Sequence, residues 1–102
     1  MTRFFILRAD QFRVNDQCVN KASVQEFLRV LLRKFPPSHE FTIKQIRSSK
    51  SEKTERAMVF IAMQFQILKM VYKRKRKPNF YVFLPNALDL INDLLIKELS
   101  ID

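Results

Sequence analysis

Apolar residues recur along this chain with two different periods, and the switches between them mark out the elements. The opening run Arg3-Phe4-Phe5-Ile6-Leu7-Arg8 is dense in aromatic and branched side chains and predicts a strand. Residues 11–14 offer a second short strand, with Ala9-Asp10 or Asn15-Asp16 as turn material, so the N-terminal part reads as a strand or hairpin. From Ser23 the period lengthens. Val24, Phe27, Leu28, Leu31, Leu32 and Phe35 follow at helical spacing, while Arg29, Arg33 and Lys34 face away from most of them. Ser23-x-x-Glu26 has the form of a capping box, in which the serine oxygen accepts a free backbone N–H and the glutamate reaches back. Pro36-Pro37 must end this helix, because proline lacks the donor and restricts the residue before it.

Glu40-Phe41 is short and extended. Thr42-x-x-Gln45 then repeats the capping-box form and predicts a brief helix with Ile43 and Ile46 inward. A third match, Ser49-x-x-Glu52, opens a longer helix over residues 49–66 whose inner stripe is Thr54, Met58, Ile61, Phe65 and Leu68. From residue 68 to 73 the period falls to two, with Leu68, Met70 and Tyr72 on one side and Lys69, Val71 and Lys73 on the other. Residues 79–84 are rich in β-formers, so the two runs make a hairpin whose connection is Lys73-Arg74-Lys75-Arg76-Lys77-Pro78. Pro85 ends it. Residues 86–100 then form a last helix whose apolar band, with Leu88, Leu90, Ile91, Leu94, Leu95, Ile96 and Leu99, is wider than one core-facing stripe needs.

The order helix, short extended piece, short helix, turn, longer helix, hairpin resembles the winged-helix superfamily over residues 23–84. The run Phe41-Thr42-Ile43-Lys44-Gln45-Ile46, the helix at 49–65 and the hairpin carry the likeness. It implies an α+β fold: a winged helix-turn-helix with an N-terminal strand or hairpin and an extra C-terminal helix, in one domain spanning 1–102. It further implies that the helix at 49–65 is a recognition helix whose first turns enter a major groove, with the hairpin as the wing. By position, Lys50, Ser51, Lys53, Thr54 and Arg56 then face the groove. Ser49 and Ser51 suit phosphate, and Lys73, Arg74, Lys75, Arg76 and Lys77 fit the wing tip. Two features depart from the pattern. The turn Ser48-Ser49-Lys50 must close without glycine, and the far face of the long helix carries Phe60 and Met63, which suit burial by the hairpin, the N-terminal strands or a second subunit.

Charge sharpens this expectation. The net charge is +9, and it is unevenly placed. Residues 1–55 hold 11 Lys/Arg against 6 Asp/Glu, residues 56–88 hold 7 against none, and residues 89–102 hold 1 against 4. A basic middle with no acid suits a polyanion, because crowded like charges repel unless a counter-anion is present. The acidic last helix suits a protein contact instead, and Leu90, Ile91, Leu94 and Leu95 are the residues expected to face a partner, such as a second copy in a homodimer. Most phenylalanines, Phe27, Phe35 and Phe65 among them, sit on apolar stripes and read as core. Phe80 and Tyr81, beside the basic tip, are the aromatics placed to stack on bases.

Composition narrows the rest. The chain of 102 residues has no glycine, which removes P-loops and dinucleotide fingerprints. The single histidine, His39, reads as a loop residue after the two prolines, and the single cysteine, Cys18, as a half-buried small side chain. With no metal-ligand spacing, paired acids or nucleophile–base pair, an enzyme is not expected, nor a metal or cofactor, nor a recognisable effector pocket. One cysteine fits a reducing, cytoplasmic setting, near the nucleoid in a prokaryote. No segment reads as a leader or membrane span. The expected function is sequence-dependent binding of double-stranded DNA, as a transcriptional regulator or replication accessory factor. The rival expectation is a protein-interaction module, an inhibitor or adaptor docking on a nucleic-acid enzyme.

Overall fold

A computed structural model describes residues 3–8, 11–71 and 79–101, with side chains for all of these except residues 5, 7, 8 and 95–101. Three strands, β1 (Phe4–Arg8), β2 (Gln11–Val14) and β3 (Gln17–Asn20), form an antiparallel sheet in the order β1-β2-β3. The Asn15-Asp16 turn joins β2 to β3, and Asn15 takes a left-handed φ of 56°, a conformation its short polar side chain tolerates. Strand β3 was not expected. Only Val19 of Gln17-Cys18-Val19-Asn20 points into the core, so no alternation announces it. Cys18 faces out and is exposed, which corrects the half-buried reading.

Helix α1 spans Lys21–Lys34, three residues earlier than Ser23-x-x-Glu26 suggests. Asn20 ends β3 in an extended conformation, and its side chain accepts the Ala22 N–H at 2.8 Å, so it is the true cap. Ser23 and Glu26 lie inside the helix. The early start turns Lys21 inward to 1% exposure, with its ammonium 5.1 Å from the centre of the Phe12 ring. Ahead of the prolines the helix stops as expected. The predicted second helix is a single 3-10 turn, Ile43–Gln45, in which Gln45 accepts the Thr42 N–H at 2.8 Å. Ile43 and Ile46 are buried, as the pattern required.

Helix α2 spans Glu52–Gln64. Its cap is Ser51, whose hydroxyl accepts the Thr54 N–H at 3.2 Å; Ser49 therefore lies in the preceding turn, and the helix is shorter than 49–65. With no glycine to close the helix, Gln66 adopts the left-handed φ of 59° beyond its end. The Ile67 N–H bonds the Ala62 carbonyl at 2.9 Å, and the Gln66 N–H bonds that of Met63 at 3.1 Å. This is the Schellman arrangement with glutamine where glycine is usual. Strands β4 (Leu68–Val71) and β5 (Phe80–Phe83) pair antiparallel, Leu68 against Phe83 and Val71 against Phe80. Leu68 is buried at the base of this hairpin, but Met70, on the same side, is 45% exposed, so burial fades along the strand.

Phe41 joins the second sheet. It exchanges two backbone hydrogen bonds with Tyr81, at 2.9 and 2.8 Å, and its ring stacks on Phe35 with centroids 4.6 Å apart. Tyr81 and Phe83 lie against the same ring, so Tyr81 belongs to the core and is not open for base stacking; Phe80 is half-buried. A second aromatic group, Phe4, Phe12, Phe60 and Phe65, packs the N-terminal sheet on the later turns of α2. Phe60 is thereby half-buried under β1, one of the covers the sequence pattern required.

Helix α3, Ala87–Ile101, lies along α1. The Gln25 side chain donates to the Ile91 carbonyl at 2.9 Å, and the Arg29 guanidinium donates to Asn92 Oδ1 at 2.9 and 3.3 Å. Ile91 and Leu94 are buried in the shared core, which corrects their assignment to a partner face: packing on α1 already covers them. Leu90 is half-buried, Leu88 is exposed, and the side chains of Leu95, Ile96 and Leu99 lie outside the described residues. The whole is a mixed α+β fold, and among the described residues no helix is long and apolar enough to cross a membrane.

Candidate nucleic-acid interface

The turn ahead of α2 shows how a chain without glycine builds a loop at this point. Arg47 takes a left-handed φ of 50°, which reverses the backbone after the 3-10 turn. The carboxylate of Glu55, 6% exposed, then accepts both the Ser48 N–H at 3.0 Å and the Ser48 hydroxyl at 2.6 Å. The Lys50 N–H donates to Ser48 Oγ at 3.1 Å. One buried acid on the helix thus pins the loop that precedes it. Lys34 fixes the other end, donating from Nζ to the Ile46 carbonyl at 2.9 Å.

Around this scaffold the expected residues divide. Ser49, Lys50, Lys53 and Arg56 are exposed, and so are Lys44 and Arg47 nearby, which the sequence pattern did not single out. Ser51 is exposed but engaged as the helix cap. Thr54 is half-buried, with its hydroxyl accepting from the Gln17 side chain and 3.0 Å from Ser51 Oγ, so it is directed at the protein. Lys53 and Arg56 each have an acidic neighbour. Lys53 Nζ is 3.5 Å from Asp16, and Arg56 donates to one oxygen of Glu52 at 2.9 and 3.0 Å. All four side chains are more than half exposed, so these pairs hold their members weakly and yield to a stronger anion. Lys73, Arg74, Lys75, Arg76 and Lys77 lie outside the described residues.

Besides Lys44 and Arg47, sequence reasoning missed Glu55, Asp16 and Gln17. Glu52 to Arg56 is an i,i+4 pair and could have been read from spacing. No local signal marks Asp16 or Gln17, which reach α2 from the turn of another sheet, and Glu55 looks like any other acid in a first helical turn.

The outward face of α2 also floors a cleft of about 410 Å³. The β2–β3 turn with Asp16 and Gln17 stands on one side, Ile43 and Tyr81 contribute from the 3-10 turn and β5, and Lys53, Arg56, Phe60 and Met63 line it from the helix. A wider hollow of about 480 Å³ lies between α1 and the Ser48-Ser49-Lys50 turn. Chemically, the surface offers cations beside apolar area and can hold anions. Comparison with protein families, with characterised proteins and with solved structures finds no match for this chain.

Proposed function

We propose that this protein is a non-catalytic winged-helix domain that binds double-stranded DNA. The observation that carries the reading is the reciprocal backbone pair between Phe41 and Tyr81. Through it, the short extended piece after α1 lies beside β5, which lies beside β4. The element order helix, strand, short helical turn, helix and hairpin supports this reading, under which α2 serves as the recognition helix. Charge supports the same reading, since the segment 56–88 holds seven cations and no acid. Lys50, Lys53 and Arg56 are the base- or phosphate-reaching residues of this proposal, Ser49 a phosphate contact, and Lys73 to Lys77 the backbone clamp.

A second reading has one observation in its favour. Lys53 and Arg56 on α2 each have an acid next to them, a mixed-sign surface that fits an oppositely patterned protein groove as well as a uniform polyanion. Gel-shift titration against random duplex, single-stranded DNA and RNA at two salt concentrations separates the two. Duplex binding should fall steeply with salt. Neutralising Lys73 to Lys77 should lower the slope of log affinity against log salt by roughly 0.9 for each duplex phosphate that the wing no longer neutralises. Absence of binding to all three nucleic acids overturns the DNA reading in favour of protein docking.

A further inference from the structure

The cleft over α2 has properties that groove binding does not explain. Its floor is apolar: Ala57 and Val59 are buried on α2, Ile43 is buried on the 3-10 turn, and Phe60 and Met63 are half-buried beside them. A helix face that only met phosphates and base edges would not need such a floor. The volume, about 410 Å³, falls among small-molecule sites, which run from roughly 300 to 1,000 Å³.

Polar groups converge on this floor. Tyr81 lines the cleft and is only 8% exposed, yet its hydroxyl has no hydrogen-bond partner among the described residues. No buried side-chain N or O atom among them lacks a partner, so that hydroxyl is not sealed from solvent and is free to bond an occupant. At the rim, Lys53 is shared with Asp16, which itself lines the cleft and opposes an anion at that end. Arg56 is differently placed. Its acid, Glu52, is not part of the lining, and the pair uses two of the five guanidinium N–H donors. Arg56 therefore keeps donors for a second anion.

We propose that this cleft binds a small organic anion with a flat apolar body, of the class of aromatic carboxylates or sulfonates, and that its occupant excludes duplex DNA from α2. Arg56 takes the anionic group, Phe60, Met63 and Val59 take the flat body, and the Tyr81 hydroxyl takes a polar atom on it. The exclusion, unlike the site itself, rests on the duplex-binding reading.

The test uses anilinonaphthalene sulfonate as the anionic probe and phenylnaphthylamine as its neutral counterpart. Each is titrated by fluorescence into the full chain, with amide NMR shifts to locate the site. One anionic probe should bind per chain, with shifts confined to α2, the β2–β3 turn and β5. Arg56→Gln should weaken the anionic probe about three- to five-fold and leave the neutral one unchanged, as removal of one exposed charge pair implies. Tyr81→Phe keeps the ring in the core and should weaken both probes by a similar factor. Equal binding of both probes with no effect of Arg56→Gln, shifts scattered over the chain, or no binding overturns the site. Duplex affinity that is unaffected by saturating probe overturns the exclusion. Probe binding in the cleft of a chain that binds no duplex would uphold the site and remove the DNA reading.

Discussion

Replacing Glu55 tests whether one buried carboxylate organises the loop ahead of α2. In Glu55→Ala the Ser48 N–H and hydroxyl both lose their acceptor. Hydrogen bonds to a charged group contribute about 1.5–3 kcal/mol each, and an acid in the first helical turn adds roughly 0.3–1 kcal/mol through the helix dipole. Two effects reduce the sum. Ser48 is exposed, so its groups regain water, and burying a carboxylate without a cation carries its own desolvation cost. The net loss is about 2 kcal/mol, which for a domain of this size lowers the melting temperature by roughly 8–16 °C. Glu55→Gln keeps one good acceptor and should lose about half as much. Thermal and urea unfolding followed by circular dichroism measure both. A cycle with Ser48→Ala should return a coupling of about 1 kcal/mol or more, since the two side chains are in direct contact. If Glu55→Ala melts at or above the wild-type temperature, desolvation outweighs the hydrogen bonds and the carboxylate is not what fixes the loop.

Four further outcomes follow from the fold. Gln66→Gly should raise the urea midpoint by about 0.5–1 kcal/mol of stability, because an exposed non-glycine residue in the left-handed region is replaced by one without that steric cost; a loss would refute it. Phe41→Ala should cost about 3–5 kcal/mol, since its fully buried ring touches Phe35, Tyr81 and Phe83; a loss below 1 kcal/mol would show that the strand does not depend on it. On α3, Ile91→Ala should cost about 2–5 kcal/mol and Leu88→Gln less than about 0.5, and equal losses would mean that the exposed side of the helix is covered too. Cys18 should react fully with a water-soluble thiol reagent in native buffer, and protection until unfolding would contradict its exposed place on β3.

Elements with a sustained period were legible in the sequence: α1, α2 and α3, the β4–β5 hairpin, and the first two strands. Their starts were less so. Ser23-x-x-Glu26 and Ser49-x-x-Glu52 are formal capping boxes, but Asn20 and Ser51 took the cap positions. Where several short polar residues adjoin, the pattern is degenerate and the strand or loop leading in decides. Strand β3 carries too few apolar residues to show a period. At the candidate site, the exposure of Lys53 and Arg56 followed from helical spacing. The same spacing put Thr54 on the inner stripe, whereas the resemblance gave it to the groove; its hydrogen bond with Gln17 upholds the stripe. Tyr81 was misjudged because its cover comes from a distant segment. A β-former beside a basic run looks alike in sequence whether or not a Phe41 lies across the strand from it.

The pairing of Phe41 with Tyr81 also bears on how the chain reaches its fold. These two bonds close a loop that contains the 3-10 turn, α2 and β4, so their formation waits on the entropy of gathering all that intervening chain. Neither partner has a local substitute: the segment before Phe41 is a proline turn, and β5 gains this neighbour only when the loop is shut. A partly folded chain with only the helix and hairpin in place lacks the bonds that join Phe41 to β5. The amides of Phe41 and Tyr81 should accordingly exchange with deuterium together, at the rate of the slowest, whole-molecule opening.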